Sequence, residues 1–159
     1  MKEPASRDKD YELWVLLQQA SDAVVRARDK ELGKHGISSI EAAVLFIVQS
    51  IGDRAIPAEI SRWLFREQHT VSALLSRMEK KGLIKKTKDL ERKNLVRVTL
   101  TEKGKQAYEN SIPKESIYHI MSTLSDEERR QFSSNLWALR DRAFEELRIE
   151  HRPPFPPET

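Results

Sequence analysis

The segment 57–104 constrains the fold of this 159-residue chain more than any other part of it. Its pattern predicts two short helices joined by a tight turn, followed by two strands around a charged turn. Pro57 suits the first turn of the first helix, because a backbone N–H would have no partner there. Gly82 follows the second helix, where a residue that tolerates left-handed backbone angles is favoured. Together these elements predict a helix-turn-helix with a β-hairpin appended to it.

The second of these helices, predicted over 68–81, has one apolar face and one polar face. Its apolar residues follow the i, i+3, i+4, i+7 spacing of a buried stripe and are Val71, Leu74, Leu75 and Met78. The residues on the opposite side are Gln68, His69, Thr70, Ser72, Ala73, Ser76, Arg77 and Lys80. A helix divided in this way packs against a core while it presents short polar and basic groups outward.

Positive charge is concentrated in the same part of the chain. Residues 62–105 contain 13 Lys/Arg and 5 Asp/Glu, a balance of +8. The whole chain carries +3, so the remainder carries −5. A basic segment that coincides with a helix-turn-helix is the electrostatic pattern of a nucleic-acid-binding protein.

The part of the chain before this segment is predicted to be helical. A long amphipathic helix is expected over 8–34, and a second helix, apolar nearly all round, over 39–50. Ser38 and Glu41 have the spacing of a capping box at the start of that second helix. The fold class that we expect is therefore mainly α with a small β-hairpin wing.

The part after the hairpin is predicted to consist of two helices and a tail. Thr101 caps the first helix, and Pro113 predicts a kink in it because proline interrupts helical hydrogen bonding. Ser125 and Glu128 form a second capping-box pattern, which opens a last helix that continues to residue 149. The Pro-rich tail, 150–159, is expected to be extended and frayed, with partner binding as the alternative.

The composition excludes several classes of protein. With zero cysteines the chain has no disulfide, thiolate metal site or cysteine nucleophile. Its four histidines lack metal-ligand spacing, so we expect no metal and no cofactor. Residues 1–10 are charged and lack the apolar core of a secretory signal, and no apolar run is long enough to span a membrane. We therefore expect a cytoplasmic protein with no membrane partner.

The polar face of helix 68–81 is suited to contact DNA. In a helix-turn-helix the second helix enters the major groove. Gln, Ser and Thr side chains hydrogen-bond base edges or phosphates, and Arg77 can pair in a bidentate way with guanine or phosphate. Double-stranded DNA is therefore the expected partner. The alternative is a polar helix face that contacts only solvent.

The charged turn between the two strands predicts a second DNA contact. Arg92 and Lys93 lie at the tip of the hairpin. An arginine in this position can enter the minor groove, where narrow A·T-rich DNA concentrates negative potential. The alternative is a charged hairpin turn that only keeps the chain soluble.

The residues of helix 68–81 and of the hairpin that follows it resemble those of a known family. The run 70–84, Thr-Val-Ser-Ala-Leu-Leu-Ser-Arg-Met-Glu-Lys-Lys-Gly-Leu-Ile, resembles the recognition helix and first wing strand of the MarR family, the multiple-antibiotic-resistance regulators. Residues 91–93, Glu-Arg-Lys, resemble the Asp-Arg-Arg wing of that family, and residues 95–104 resemble its Leu-Thr-x-x-Gly helix entry. The order of elements matches from 8 to 149.

The resemblance implies a homodimeric transcriptional regulator that binds a pseudo-palindromic operator, and we expect a repressor, with an activator as the alternative. Residues 8–34 and 101–149 would supply the dimerisation helices, and residues 38–100 the winged helix-turn-helix lobe. Dimerisation would set the two recognition helices about 34 Å apart, one turn of DNA. The alternative is that the long terminal helices form a bundle within a single chain.

The resemblance also implies roles for individual residues. Ser72 and Arg77 match recognition-helix positions that meet DNA, and Arg92 matches the wing-tip arginine. Glu91 matches a wing aspartate that commonly holds a wing arginine in place. Phe65 departs from the family pattern, which often has glycine there, so the turn between the two helices is expected to be reshaped.

The resemblance also implies a small aromatic effector, bound between the dimer helices and the DNA-binding lobe. The candidate lining residues are Tyr11, Trp14, Tyr108, Tyr118 and Met121. The alternative for each of them is packing in the core or in an interface, since aromatic residues at helical spacing usually pack there.

Two other kinds of function are weighed against DNA binding. A winged-helix dimer could be a protein-interaction module that binds no DNA, but the basic segment argues against that function. An enzyme is not expected, because the chain has no glycine-rich phosphate loop and no local motif supporting a Ser/His/Asp set.

Overall fold

The computed structural model describes residues 4–89, 91–92 and 94–158. Its architecture is mainly helical with one antiparallel hairpin, which confirms the predicted fold class. The elements in chain order are α1 (Pro4–Gly33), α2 (Ser39–Ile51), a short 3₁₀ turn (Gly52–Arg54), α3 (Pro57–Leu64), α4 (Gln68–Lys80), β1 (Ile84–Lys88), β2 (Val96–Leu100), α5 (Glu102–Ser111), α6 (Glu115–Met121) and α7 (Asp126–Leu147).

The elements from α2 to β2 share one hydrophobic core, and we call them the winged lobe. The predicted capping box starts α2: the Ser38 hydroxyl accepts from the Glu41 N–H at 3.3 Å, and the Glu41 carboxylate accepts from the Ser38 N–H at 3.0 Å. Most side chains of α2 are buried, as its all-round apolar sequence predicts. The largest fully buried side chains of the lobe are Val44, Leu45, Ile60, Val71, Leu75, Met78, Ile84 and Val98.

The turn between α3 and α4 is built around an unusual backbone conformation at Phe65. This residue ends α3 with φ 51° and ψ 52°, in the left-handed region that favours glycine. Its ring packs against the ring of Phe144 in α7, with centroids 4.9 Å apart. The turn therefore keeps its helix-ending geometry without a glycine, and the aromatic side chain links it to α7.

The hairpin is fixed both in its own register and against the helices. β1 and β2 pair antiparallel, with Ile84 opposite Leu100 and Lys86 opposite Val98. The Val98 N–H also donates to the Ala55 carbonyl at 2.7 Å, which ties β2 to the segment before α3. The wing is therefore rooted in the core at its base.

The start of α5 is locked to the start of β1. The Thr101 hydroxyl donates to the Gly82 carbonyl at 2.5 Å and accepts from the Gly104 N–H at 3.0 Å. The Thr101 N–H donates to the Leu83 carbonyl at 3.2 Å. A Cβ on Gly104 would overlap that same carbonyl oxygen, so the close approach requires glycine.

Pro113 breaks the helix more completely than the kink that the sequence predicts. α5 ends at Ser111, and a separate helix, α6, begins at Glu115. The buried Arg28 of α1 donates to the carbonyls of Ser111 at 2.7 Å and Pro113 at 3.0 Å. These bonds satisfy carbonyls that the end of α5 leaves free, so the break is stabilised from α1.

The long terminal helices expose much of their apolar surface. Tyr11, Leu13, Trp14 and Leu16 of α1 are each more than half exposed. Among the described residues of α7, Phe144 alone is buried, whereas Phe132, Leu136 and Leu139 are exposed. None of the helices in the described ranges has the length and apolar character to cross a membrane.

The prediction of a frayed tail is wrong. Residues 150–158 fold back along α7, where Arg152 forms an ion pair of 2.8 Å with Asp141. The Phe155 ring lies against Phe46 of α2 and Trp63 of α3. The apolar ring and the cation of the tail find partners that only the folded chain brings close.

We predict that Gly104→Ala destabilises the protein by about 1–3 kcal/mol or more, because the new methyl group must displace the Leu83 backbone. Thermal and urea unfolding measure this loss. Gly33→Ala is the matched control, since nothing lies within 4 Å of its built Cβ. Equal stability of the two variants would contradict the close contact between α5 and β1.

Candidate nucleic-acid interface

α4 has the two-faced arrangement that its sequence predicts. Val71, Leu74, Leu75 and Met78 are buried in the lobe, with relative exposures of 5% or less. The opposite face is open to solvent along the whole helix. Its exposed residues are Gln68, His69, Thr70, Ser72, Ala73, Ser76, Arg77 and Lys80. The structure therefore brings all the predicted contact residues of α4 onto one accessible surface.

The first wing strand joins this surface. The Lys86 ammonium donates to the Ser76 hydroxyl at 3.1 Å, and the Lys86 N–H donates to the Glu79 carboxylate at 3.1 Å. These bonds hold β1 beside α4, so the cation of Lys86 adds to the polar face. Lys86 was missed as a site residue because the packing of β1 against α4, and not sequence spacing, places it beside Ser76.

The end of α4 is fixed by an ion pair with α2. The Lys81 ammonium lies 2.9 Å from both carboxylate oxygens of Glu41 and donates to the Gly36 carbonyl at 2.9 Å. Burial raises the pKa of Glu41, but the hydrogen bonds from Lys81 and Ser38 outweigh it and leave the pKa lowered. The charged pair therefore sets where α4 ends relative to α2.

The wing turn is organised by Asp89, not by Glu91 as the family resemblance implies. One Asp89 oxygen accepts from the N–H groups of Glu91 at 2.8 Å and Arg92 at 3.1 Å. The other forms an ion pair of 2.8 Å with Arg97, which also donates to the Asp53 carbonyl. Asp89 takes this role because Arg97 pairs with Thr87, and Asp89, two positions further on, lies on the same face of the hairpin.

These contacts also perturb the ionisation of Asp89. The backbone N–H groups of Glu91 and Arg92, and then the Arg97 guanidinium, hold the pKa of Asp89 below its usual 3.8. A carboxyl with a lowered pKa stabilises the fold above its usual pKa and loses that effect as the pH falls through the lowered value. The wing anchor is therefore intact throughout the neutral range.

Of the two predicted wing-tip residues, Arg92 is among the described residues. Arg92 is exposed, and its backbone is held by Asp89. Lys93 lies outside the described residues, so its DNA contact stays a prediction. Lys85 and Lys88, both exposed on β1, extend the basic surface from the tip toward α4.

The five candidate effector residues do not share one environment. Tyr11 and Trp14 stack on the exposed side of α1, with ring centroids 6.1 Å apart. Tyr108 is partly buried against the lobe core, and Tyr118 is 65% exposed on α6. Met121 lines a cavity of about 340 Å³, whose other apolar members are Phe132, Leu136, Trp137 and Pro156.

A helix-turn-helix with a solvent-facing recognition helix and an anchored basic hairpin defines a winged-helix DNA-binding protein. Residues 37–104 match the family described as a winged helix DNA-binding domain. An organohalide-sensing RdhR transcriptional regulator, solved with and without 2,4-dichlorophenol, is 31% identical over 94% of this chain and 90% of its own, with a TM-score of 0.85. The chain belongs to the MarR family of transcriptional regulators.

Other solved structures of the family share the fold. MepR of S. aureus, in a complex with DNA, is 27% identical over 80% of this chain and 95% of its own, with a TM-score of 0.74. A mutant E. coli MarR complexed with operator DNA is 18% identical over 83% of this chain and 96% of its own, with a TM-score of 0.76. No protein with a curated description matches the chain.

We predict that Asp89→Asn loosens the wing, because the neutral amide loses the ion pair with Arg97 and accepts the backbone N–H groups less strongly. Hydrogen exchange at Glu91 and Arg92 should become about two- to tenfold faster at neutral pH. Glu91→Gln makes the same charge change in the same turn and serves as the control. If Glu91→Gln loosens the wing as much as Asp89→Asn, the anchor is wrongly assigned.

Proposed function

We propose that this chain acts as a homodimeric repressor that binds a pseudo-palindromic operator and is released by a small aromatic effector. In this proposal residues 38–100 contact DNA, and the helices within 8–34 and 101–149 form the dimer frame. Two recognition helices related by the dimer axis would read half-sites about one helical turn apart.

The observation that carries DNA binding is the division of α4 between a buried and an exposed face. Four apolar residues fix the helix to the core, so the eight polar or small residues on its outer face are free to enter a groove. Arg77 and Lys80 lie on that face, and the lysines of β1 lie beside it. The DNA complex of MepR, a family member at 27% identity, supports the same use of the lobe.

We predict that Arg92→Ala and Arg77→Ala both weaken DNA binding. The loss in Arg92→Ala should be mainly electrostatic, whereas the loss in Arg77→Ala should be larger on the operator than on random DNA. A wing-tip cation at the minor groove or a phosphate adds mainly electrostatic affinity, so Arg92→Ala should lower the salt slope by about one. Loss of a base contact by Arg77 should cost about tenfold or more on the operator and less on random DNA. Fluorescence anisotropy at several salt concentrations, on a site selected by sequencing bound fragments, measures both.

Arg142→Ala is the control, because Arg142 is exposed on α7 and carries the same charge. Binding that falls equally in all three variants would show a general effect of net charge. Binding that is unchanged by either lobe variant would remove the proposed DNA contacts. A wild-type protein that binds no DNA but a salt-insensitive protein partner would favour the interaction-module alternative.

Dimerisation is supported by the apolar surface that the terminal helices leave uncovered. Leu13 and Leu16 of α1 are 63% and 58% exposed, and Leu139 of α7 is 55% exposed. Exposed apolar side chains on these helices favour association with a second copy, because burying apolar surface gains about 25 cal/mol per Å².

We predict that Leu16→Lys converts the dimer to a monomer, because a charge would be buried in the interface, while the folded chain itself is unaffected. Sedimentation equilibrium at micromolar concentration measures the mass, and circular dichroism checks the fold. Gln19→Lys adds the same charge at an exposed polar position of α1 and is the control. A monomeric wild-type protein would overturn the dimer proposal.

An aromatic effector is supported by the RdhR regulator, which binds 2,4-dichlorophenol and is similar over 94% of this chain. Exposed or half-exposed aromatic side chains lie on the dimer helices here, at Tyr11, Trp14 and Tyr118. A ligand that binds one arrangement of the two lobes better than the other shifts the population toward it. The protein leaves the operator if, in the favoured arrangement, the spacing of the two recognition helices no longer matches the spacing of the half-sites.

A further inference from the structure

The C-terminal residues 150–158 run back along α7 toward its start. Arg152 pairs with Asp141 at 2.8 Å, and its guanidinium lies 5.8 Å from the ring centre of Phe144. Further along the tail, Pro156 lines the cavity of about 340 Å³ with Trp137. Glu158 lines a cavity of about 490 Å³ with Arg130, on an earlier turn of α7. The tail therefore follows the helix over several turns.

The same segment reaches the winged lobe through one aromatic residue. The Phe155 ring centre lies 5.1 Å from that of Phe46 in α2, at an interplanar angle of 59°. It lies 6.4 Å from the Trp63 ring in α3 and nearly parallel to it, at 5°. Both geometries are favoured for aromatic pairs, so Phe155, which stays 49% exposed, packs against the two rings that we call the Phe46–Trp63 slot.

This contact is important because α7 has few other attachments to the lobe. Among the described residues of α7 only Phe144 is buried, and it contacts the lobe through Phe65. The tail adds a second attachment on α2 and α3. Two attachments on different elements restrict rotation of the lobe about α7, whereas a single one acts as a pivot.

We propose that residues 150–158 are a strap that fixes the orientation of the winged lobe on α7, with Phe155 in the Phe46–Trp63 slot and Arg152 on Asp141. The proposal rests on the proposed function in one respect. If α7 belongs to the dimer frame, the strap sets the separation of the two recognition helices. DNA then binds a preformed arrangement and loses less conformational freedom on binding.

Phe155→Ala and Arg152→Ala test the strap in the full-length protein. Each removes one of its two attachments, and neither residue belongs to the hydrophobic core. Hydrogen exchange should become about two- to tenfold faster both in 57–66 of the lobe and in 138–148 of α7, as expected for an aromatic contact or a partly exposed ion pair. Operator affinity should fall by about two- to tenfold.

Pro157→Ala is the matched control, since Pro157 belongs to the tail but lines neither the slot nor the two cavities. It should leave exchange and affinity unchanged. Unchanged exchange in Phe155→Ala and Arg152→Ala would overturn the strap. Faster exchange in 57–66 and 138–148 with unchanged operator affinity would overturn the proposal that the strap positions the lobe for DNA. If the wild-type protein binds no DNA, the proposed function fails, and coupled loosening of the lobe and α7 still decides whether the strap exists.

Discussion

The interaction on which the rest of this protein depends is the burial of the apolar face of α4. Val71, Leu74, Leu75 and Met78 are almost completely removed from solvent. Burial of each such side chain contributes about 1.5–3 kcal/mol, so turning this face toward solvent would cost several kcal/mol. Because the four residues lie on one side, they also determine which side faces outward. The helix that we propose reads DNA is thus oriented by its contacts with the core.

Polar contacts then fix the position of that helix and of the wing. Lys81 and Glu41 join the end of α4 to the start of α2, and Lys86 joins β1 to Ser76. The Asp89 carboxylate holds the wing turn by accepting from the backbone N–H of Glu91 and by pairing with Arg97. These contacts join α2 to α4, α4 to β1 and β1 to β2, so they set the positions of these elements within the lobe. The terminal helices are different, since much of their apolar surface stays exposed in the single chain. The protein therefore combines a well-packed lobe with terminal helices whose apolar surface the single chain leaves uncovered.

Features that depend on residues close together in the sequence were predicted correctly, whereas several that depend on tertiary contacts were not. The capping boxes at Ser38 and Ser125 were predicted correctly, because each depends on residues three positions apart. The separate helix α6 was not predicted, because the break at Pro113 is stabilised by Arg28 from a distant part of the chain. The role of Asp89 was given to Glu91, since both carboxylates lie in one charged turn and sequence spacing does not tell which one reaches Arg97. The ordered tail was missed because its partners on α2, α3 and α7 are far away in sequence.

The sequence by itself determined the helices other than α6, the hairpin and the polar face of α4, because periodicity, caps and turn residues act over a few neighbouring positions. It also determined the family, since the motifs of the recognition helix and the wing are contiguous. The tertiary structure alone decided which carboxylate anchors the wing, which lysine lies beside Ser76 and where Phe155 binds. Those choices depend on distances between residues 8 to more than 100 positions apart, and only strand pairing and the packing of the elements bring such residues within reach of one another.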